Sequence, residues 1–456
     1  MSKHYTQISL FAAALISLGL TSVNPAVAQR IEGLYSENLE AASSFQLGVT
    51  LYNRSDFEGA EKALRTALQN DPFIPMAHYL LGNTLFQQGK TDLATEQYRR
   101  AIALDPNLAE AHYNLGLTLY RQGNVPGATA QYQRALSLNP DLLEARYNLA
   151  LAYEAQGNTL DAIAQYQETI RLSPNDAAAQ YNLGLILAKQ DQIQPAIAAF
   201  RKAVSTKPDF AQAQYQLGLL LATQGQLQDA EAALRTAAKL DPKFVQAQYQ
   251  LGLVLAERGD FEGAGDRFAW VANLEPNNAD AAQRWGAARI KSGQYQLAEE
   301  ALQKALSLNP NDALTRYNLG VALQQQQKYP EAIAQYQQAI LLNPNLADAF
   351  FNLGVSLEQS QRRDEAMSFL LQARRLFTSA GNLQKSDEID QYIQRIDAQP
   401  IVPSVTEPTQ APAVPPITGP TQPPAVLPLR QPPQPPGAGS QPFTLPRLTP
   451  PNNGNR

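Results

Sequence analysis

Glycine returns every 34 residues along this chain, at Gly48, Gly82, Gly116, Gly184, Gly218, Gly252, Gly286, Gly320 and Gly354, with Ala150 in the one missing slot. Twelve residues after each slot stands an alanine, from Ala60 through Ala366. Ten consecutive windows across 41–380 keep this register without an insertion. A strict period of this length means small identical modules, none able to bury its own apolar face, that must stack to form a continuous core.

Small residues at both slots let two helices approach closely, because a larger side chain at the crossing would hold the backbones apart. Each window therefore reads as a tight helix pair, A then B. Sixteen residues after the glycine slot comes a large apolar residue, such as Tyr98, Tyr132, Tyr166, Phe200, Phe268 or Tyr336, placed for the packed face of helix B. Proline from Pro72 to Pro344 then disfavours helix in the residue before it and sets the entry to the next pair. Between A and B, Gly89, Gly123, Gly157, Gly225, Gly259 and Gly293 suit a left-handed helix stop. Ser55, Asp191, Gln327 and Gln361 replace that glycine, so those four turns are expected to be less regular. Past 380, Ile389, Tyr392, Ile393 and Ile396 at helical spacing predict a capping helix over 381–398, needed because an open stack end would leave an apolar face wet.

The flanks differ from the repeats. Lys3, an apolar run from Ile8 to Leu20 and the small-residue stretch Ala26-Val27-Ala28 have the layout of a cleavable export signal over 1–28, followed by a lead-in over 29–40. The run is short of the roughly 20 residues that span hydrocarbon. The expected compartment is therefore periplasmic or extracellular, the alternative being an uncleaved N-terminal anchor. From 399 to 456 proline alternates with Gln, Thr, Val and Leu, a composition that builds no core and reads as a disordered, semi-rigid spacer. Within it, Arg430 to Pro436 fits the R-x-x-P-x-x-P pattern of SH3 ligands, a match that proline-rich composition produces by chance.

The spacing resembles the tetratricopeptide repeat (TPR), with nearly every signature slot filled over about three quarters of the chain. One departure is consistent: the family's tryptophan near the repeat start is replaced by residues such as His78, His112, Arg146 and Gln180, with the adjacent tyrosine expected to take over some of its packing. The resemblance implies an all-α fold, a right-handed α-solenoid of about ten repeats plus the capping helix, whose A helices line a concave surface. Two ladders stand on those helices. One is aromatic: Tyr79, Tyr113, Tyr147, Tyr181, Tyr215, Tyr249 and Tyr317, flanked by Phe45 and Phe351. The other is amide: Asn114, Asn148, Asn182, Gln216, Gln250, Asn318 and Asn352. Carboxamides donate and accept together, which suits the backbone of an extended peptide whatever its side chains; a similar asparagine ladder holds peptide in the TPR region of O-linked N-acetylglucosamine transferases. The competing reading gives both ladders to repeat packing alone.

Repeat eight departs from the pattern, with Gln283 in the tyrosine slot, Arg284 in the amide slot, Trp285 and Arg289 in apolar slots, and Trp270 and Val271 in the preceding helix. It reads as compensatory repacking or a kink dividing the superhelix, or as an anion site of Arg284, Arg289 and Lys291 beside an aromatic surface. The carboxylate clamp of some TPR domains is not supported, since its five slots hold Tyr215, Leu219, Gln250, Asp280 and Arg284, and only the last agrees.

Much chemistry is excluded by composition. The 456 residues carry no cysteine and a net charge of -5 without a basic run, against thiolate chemistry and nucleic-acid binding. His78 and His112 lie a repeat apart with no third ligand, so no metal or cofactor is expected. No paired acid, phosphate loop or nucleophile elbow appears. The expectation is a non-catalytic scaffold outside the cytoplasm that binds a protein or extended peptide. The alternatives are a carbohydrate-binding or glycan-processing accessory of the envelope, and a glycosyltransferase or protease regulator.

Overall fold

The computed structural model describes residues 38–398, and within them the chain is helix joined by short turns, with no strand. The export segment, most of the lead-in and the proline-rich tail lie outside the described residues. Two compact units divide the chain, the boundary falling between Ala196 and Ile197.

The first unit holds α1 (Leu39–Asn53), α2 (Phe57–Asn70), α3 (Pro75–Gln87), α4 (Thr91–Leu104), α5 (Ala109–Arg121), α6 (Val125–Leu138), α7 (Leu143–Ala155), α8 (Thr159–Leu172) and α9 (Ala177–Lys189). The boundary lies inside α10 (Ile193–Thr206). The second unit continues with α11 (Ala211–Thr223), α12 (Leu227–Leu240), α13 (Val245–Glu257), α14 (Phe261–Leu274), α15 (Ala279–Lys291) and α16 (Tyr295–Leu308). It ends with α17 (Ala313–Gln325), α18 (Tyr329–Leu342), α19 (Ala347–Gln359), α20 (Arg363–Ser379) and α21 (Leu383–Ala398). Odd helices up to α19 fall at the A positions of the repeats and even ones at the B positions, and α21 is the cap.

The glycine slot works by contact with the large residue sixteen positions on. A Cβ added at Gly116 would stand 2.6 Å from the Tyr132 ring, and the same distance separates it from Tyr98 at Gly82 and from Leu234 at Gly218, with 2.4 Å to Leu302 at Gly286. Those large residues are fully buried. The ring pairs at the crossing vary in angle whatever the slot holds: Tyr147–Tyr166 beside Ala150 meet at 65° and Tyr249–Phe268 beside Gly252 at 70°, whereas Tyr79–Tyr98, Tyr113–Tyr132 and Tyr317–Tyr336 meet at 48°, 41° and 47°.

The turns between A and B are uniform, which corrects the expectation of irregularity. Ser55, Asp191, Gln327 and Gln361 take φ of 60°, 57°, 61° and 62°, in the left-handed region where Gly89 and Gly123 take 76° and 77°. The same bond closes both kinds of turn: Lys328 N–H donates to the Leu323 carbonyl (3.0 Å) as Lys90 N–H does to Leu85 (2.9 Å). Packing of the flanking helices fixes the stop, so a side chain must accept an αL backbone there at a cost of roughly 1–2 kcal/mol. At the other end of each pair the residue before proline is extended, as the proline ring requires, with φ/ψ of -131°/93° at Asp105 and -138°/91° at Asn343.

A helices of neighbouring repeats pack on one another within each unit, as α3 does on α5 and α11 on α13. The A-helix face is thus the inner side of each stack. The second unit closes on α21, where Ile389 and Ile396 are buried against Leu370 and Phe377. Among the described residues no helix is long and apolar enough to cross a membrane.

Candidate functional site

The tyrosine ladder does not stand out into solvent. Tyr113 packs on Tyr132 with ring centroids 6.0 Å apart, and Tyr317 on Tyr336 at 5.9 Å. Burial pushes the phenols of Tyr79 and Tyr215 up to about 12, and raises those of Tyr113, Tyr249 and Tyr317 further. Each of these rings therefore stays neutral under ordinary conditions.

The hydroxyls reach into the next repeat. Asn148 Nδ2 donates to Tyr113 Oη (3.1 Å), Asn182 to Tyr147 (2.7 Å) and Asn352 to Tyr317 (3.1 Å). Asn114 donates to Asn83 Oδ1 (2.8 Å), with Tyr79 Oη at 3.4 Å. In these four pairs the two ladders are one set of cross-repeat bonds, with the tyrosine of one repeat engaged by the amide of the next. Sequence reasoning found both ladders but not this pairing, whose signal was the constant 35-residue offset between partners.

Two amides of the second unit escape this arrangement. Gln250 and Asn318 are buried, at 8% and 3% exposure, yet neither bonds to the aromatic slot of the repeat before. At Asn318 the reason is plain: the slot holds Gln283, which donates instead to Asp312 (2.9 Å), and Asn318 Oδ1 is buried without a partner. Gln216, at the start of this unit, is half-buried.

Repeat eight spends its cations singly. Arg284 Nε donates to Asp280 (2.9 Å) while its guanidinium lies 5.6 Å from the Tyr249 ring, and Tyr249 donates to the same carboxylate. Arg284 and Asp280 together replace the usual amide. Arg289 is buried in an ion pair with Asp266 and donates to Gln294 (2.8 Å), in room made by Gly265, where a Cβ would meet its Nε at 3.0 Å. Lys291 Nζ sits 4.7 Å over the Phe261 ring, and burial lowers its pKa. The structure brings the three cations to three different partners, an arrangement that reads as repacking.

The slot that lacks the family's tryptophan does defined work. His78 Nε2 donates to the Pro72 carbonyl (3.1 Å) with Nδ1 2.8 Å from Gln97 Oε1, and His112 repeats this with Pro106 (3.2 Å) and Gln131 (2.7 Å). Arg146 bridges Pro140 (2.7 Å) and Gln165 (3.2 Å), and Arg316 bridges Pro310 (3.0 Å) and Gln335 (3.2 Å). One polar residue thus ties the entry loop of each such pair to its own B helix. This slot thus holds a hydrogen-bonded clamp, while the adjacent tyrosine packs on the B-helix ring of its own repeat, as Tyr79 does on Tyr98 and Tyr113 on Tyr132. Among the described residues no group of three His, Asp or Glu could hold a metal ion.

Comparison with known proteins agrees with the helix pairs. A tetratricopeptide repeat model matches residues 113–176, 147–214, 215–274 and 284–340, and a TPR repeat model matches 82–123 and 323–361. No curated protein matches the chain. Among solved structures it is similar to YrrB, described as a TPR protein with an unusual peptide-binding site, at 27% identity over 43% of this chain and 98% of that one, with a TM-score of 0.38. MamA from Desulfovibrio magneticus RS-1 is 27% identical over 37% of this chain and 96% of its own, with a TM-score of 0.35. The C-terminal part of a TPR repeat-containing protein from Cytophaga hutchinsonii is 16% identical over 53% and 98%, with a TM-score of 0.47. With the two family models together spanning more than half of its length in register with the observed pairs, the chain belongs to the tetratricopeptide repeat family.

Proposed function

We propose that this protein is a non-catalytic binding scaffold that acts outside the cytoplasm and holds an extended, uncharged peptide segment on the A-helix face of its second unit. The observation that carries the reading is the difference between amides. Asn114, Asn148 and Asn182 of the first unit and Asn352 of the second are engaged with a neighbouring repeat, while Asn318 Oδ1 has no partner and Gln250 makes no bond to the aromatic slot before it. A peptide backbone supplies the donors and acceptors such carboxamides lack, and Leu253 on the helix of Gln250, with Leu219 on the A helix before it, offers apolar contact to its side chains. Export rests on the N-terminal sequence alone.

The test is a peptide array read beside a glycan array with the secreted protein and its Gln250→Leu, Asn318→Leu and Asn148→Leu variants. Peptide capture lost in the first two and kept in the third supports the reading; capture confined to glycans sinks it. N-terminal sequencing of the protein from the envelope and medium fractions tests export, with a first residue near Gln29 expected.

A further inference from the structure

Trp270 stands where packing gives no reason for an indole. Its slot on the B helix holds Thr236 in the repeat before, Lys304 in the repeat after, and a polar or charged residue in all the others. The ring is 45% exposed, and its Nε1 donates to the Pro242 carbonyl (2.9 Å), which fixes it against the end of the preceding repeat. Leu274, one turn further along α14, is 36% exposed, and Leu240, two residues before Pro242, is 41% exposed. Exposed Asp241 and Glu275 adjoin these leucines. The result is an aromatic and aliphatic patch whose rim carries the carboxylates of Asp241 and Glu275 and the ammonium groups of Lys239 and Lys243.

We propose that this patch is the seat of the chain's own segment 430–436, Arg-Gln-Pro-Pro-Gln-Pro-Pro. Prolines in an extended helix lay flat apolar rings on an aromatic face at little entropic cost, because their backbone is already restricted. Arg430 meets the flanking carboxylates; the tail as a whole carries Arg430, Arg447 and Arg456 against one acid, Glu407. Reach favours the tail: the stretch between Ala398 and Arg430 spans roughly 100 Å at about 3.1 Å per residue.

Size decides between occupants. Three apolar residues fall far short of the ~800 Å² per partner that a stable complex of separate molecules buries. A tethered segment faces an effective concentration on the order of millimolar, so a weak contact is enough to keep it seated.

The chain has two tryptophans, and Trp285 has its indole nitrogen buried, so acrylamide quenching reads Trp270. In the full chain, replacing Pro432, Pro433, Pro435 and Pro436 with glycine is expected to raise the quenching constant about two-fold as the indole face opens. Unchanged quenching overturns the proposal, and so does quenching that depends on protein concentration, which would mean a second copy occupies the patch. A labelled peptide of residues 426–438 should bind the glycine-substituted chain and lose at least tenfold in affinity on further Trp270→Thr substitution. Equal binding to that variant, with its helical circular dichroism and melting unchanged, also overturns it.

Discussion

Asn148 of the fourth repeat donates its amide proton to the hydroxyl of Tyr113 in the third, 3.1 Å away, and bonds also to the Glu144 carbonyl of its own helix (2.8 Å). The side chain therefore joins two repeats as well as bracing one. Asn148→Leu is expected to destabilise the protein by about 1–2 kcal/mol, because it leaves a part-buried hydroxyl without its partner. Asn318→Leu removes a carboxamide whose oxygen is already unsatisfied, so its cost should be near zero. Urea denaturation of the two variants side by side checks the contrast; equal losses would show that the cross-repeat bond contributes nothing.

The left-handed turns predict gains from glycine. Gln327→Gly and Asp191→Gly should each stabilise by about 0.5–1 kcal/mol, since relief of the αL backbone exceeds the entropy glycine adds to the unfolded chain. Gly123→Gln should lose about 1 kcal/mol by the same mechanism in reverse. Melting temperatures of the three single variants give the signs directly.

At the helix crossing, Gly116→Ala drives a methyl to 2.6 Å from the Tyr132 ring. Ala150 is accommodated in the equivalent slot beside fully buried Tyr166, which shows that the neighbours have a route for relief, so the cost should fall near the low end of overpacking, about 1 kcal/mol. Gly116→Leu has no such route and should prevent the pair from closing. Circular dichroism melts distinguish a shifted transition from a lost one.

Alkaline pH should unfold this protein cooperatively. Burial holds Tyr79 and Tyr215 neutral up to about 12, whereas an unfolded phenol ionises near 10. Above pH 10 the unfolded chain binds fewer protons than the folded one, so the stabilisation present below pH 10 is lost as pH rises toward 12, by about 1.4 kcal/mol per pH unit for each such phenol. Denaturation midpoints measured from pH 9 to 12 should fall, with phenolate absorbance appearing together with the loss of helix.

The register of glycine, alanine and proline made the helix pairs legible residue by residue, because close crossings and chain reversals admit few residue types. What the sequence left open is set by partners far apart in the chain. Ser55 and Gln361 look like poor stops, but helix packing imposes the same turn on them as on glycine. Arg289 looks like a cation in search of an anion, until Asp266 and the space beside Gly265 are seen across the helix pair. Asn148 and Asn318 occupy equivalent slots and look alike; only the identity of residue 283, a glutamine where the other repeat has Tyr113, makes one a brace and leaves the other unpaired.

The clamp from the fourth position of helix A bears on how such an array can grow. His78, His112, Arg146 and Arg316 each fasten the proline loop before them to a glutamine of the B helix that follows, so in a module counted from its entry proline the joint is made from that module's own atoms. A duplicated stretch of gene encoding one module would bring a finished hinge pin with it, and only the tyrosine and amide at the seam would have to suit their new neighbours. Lengthening or shortening by whole modules is then the cheapest change open to this chain, whereas a shift by a few residues would break every fastening beyond it.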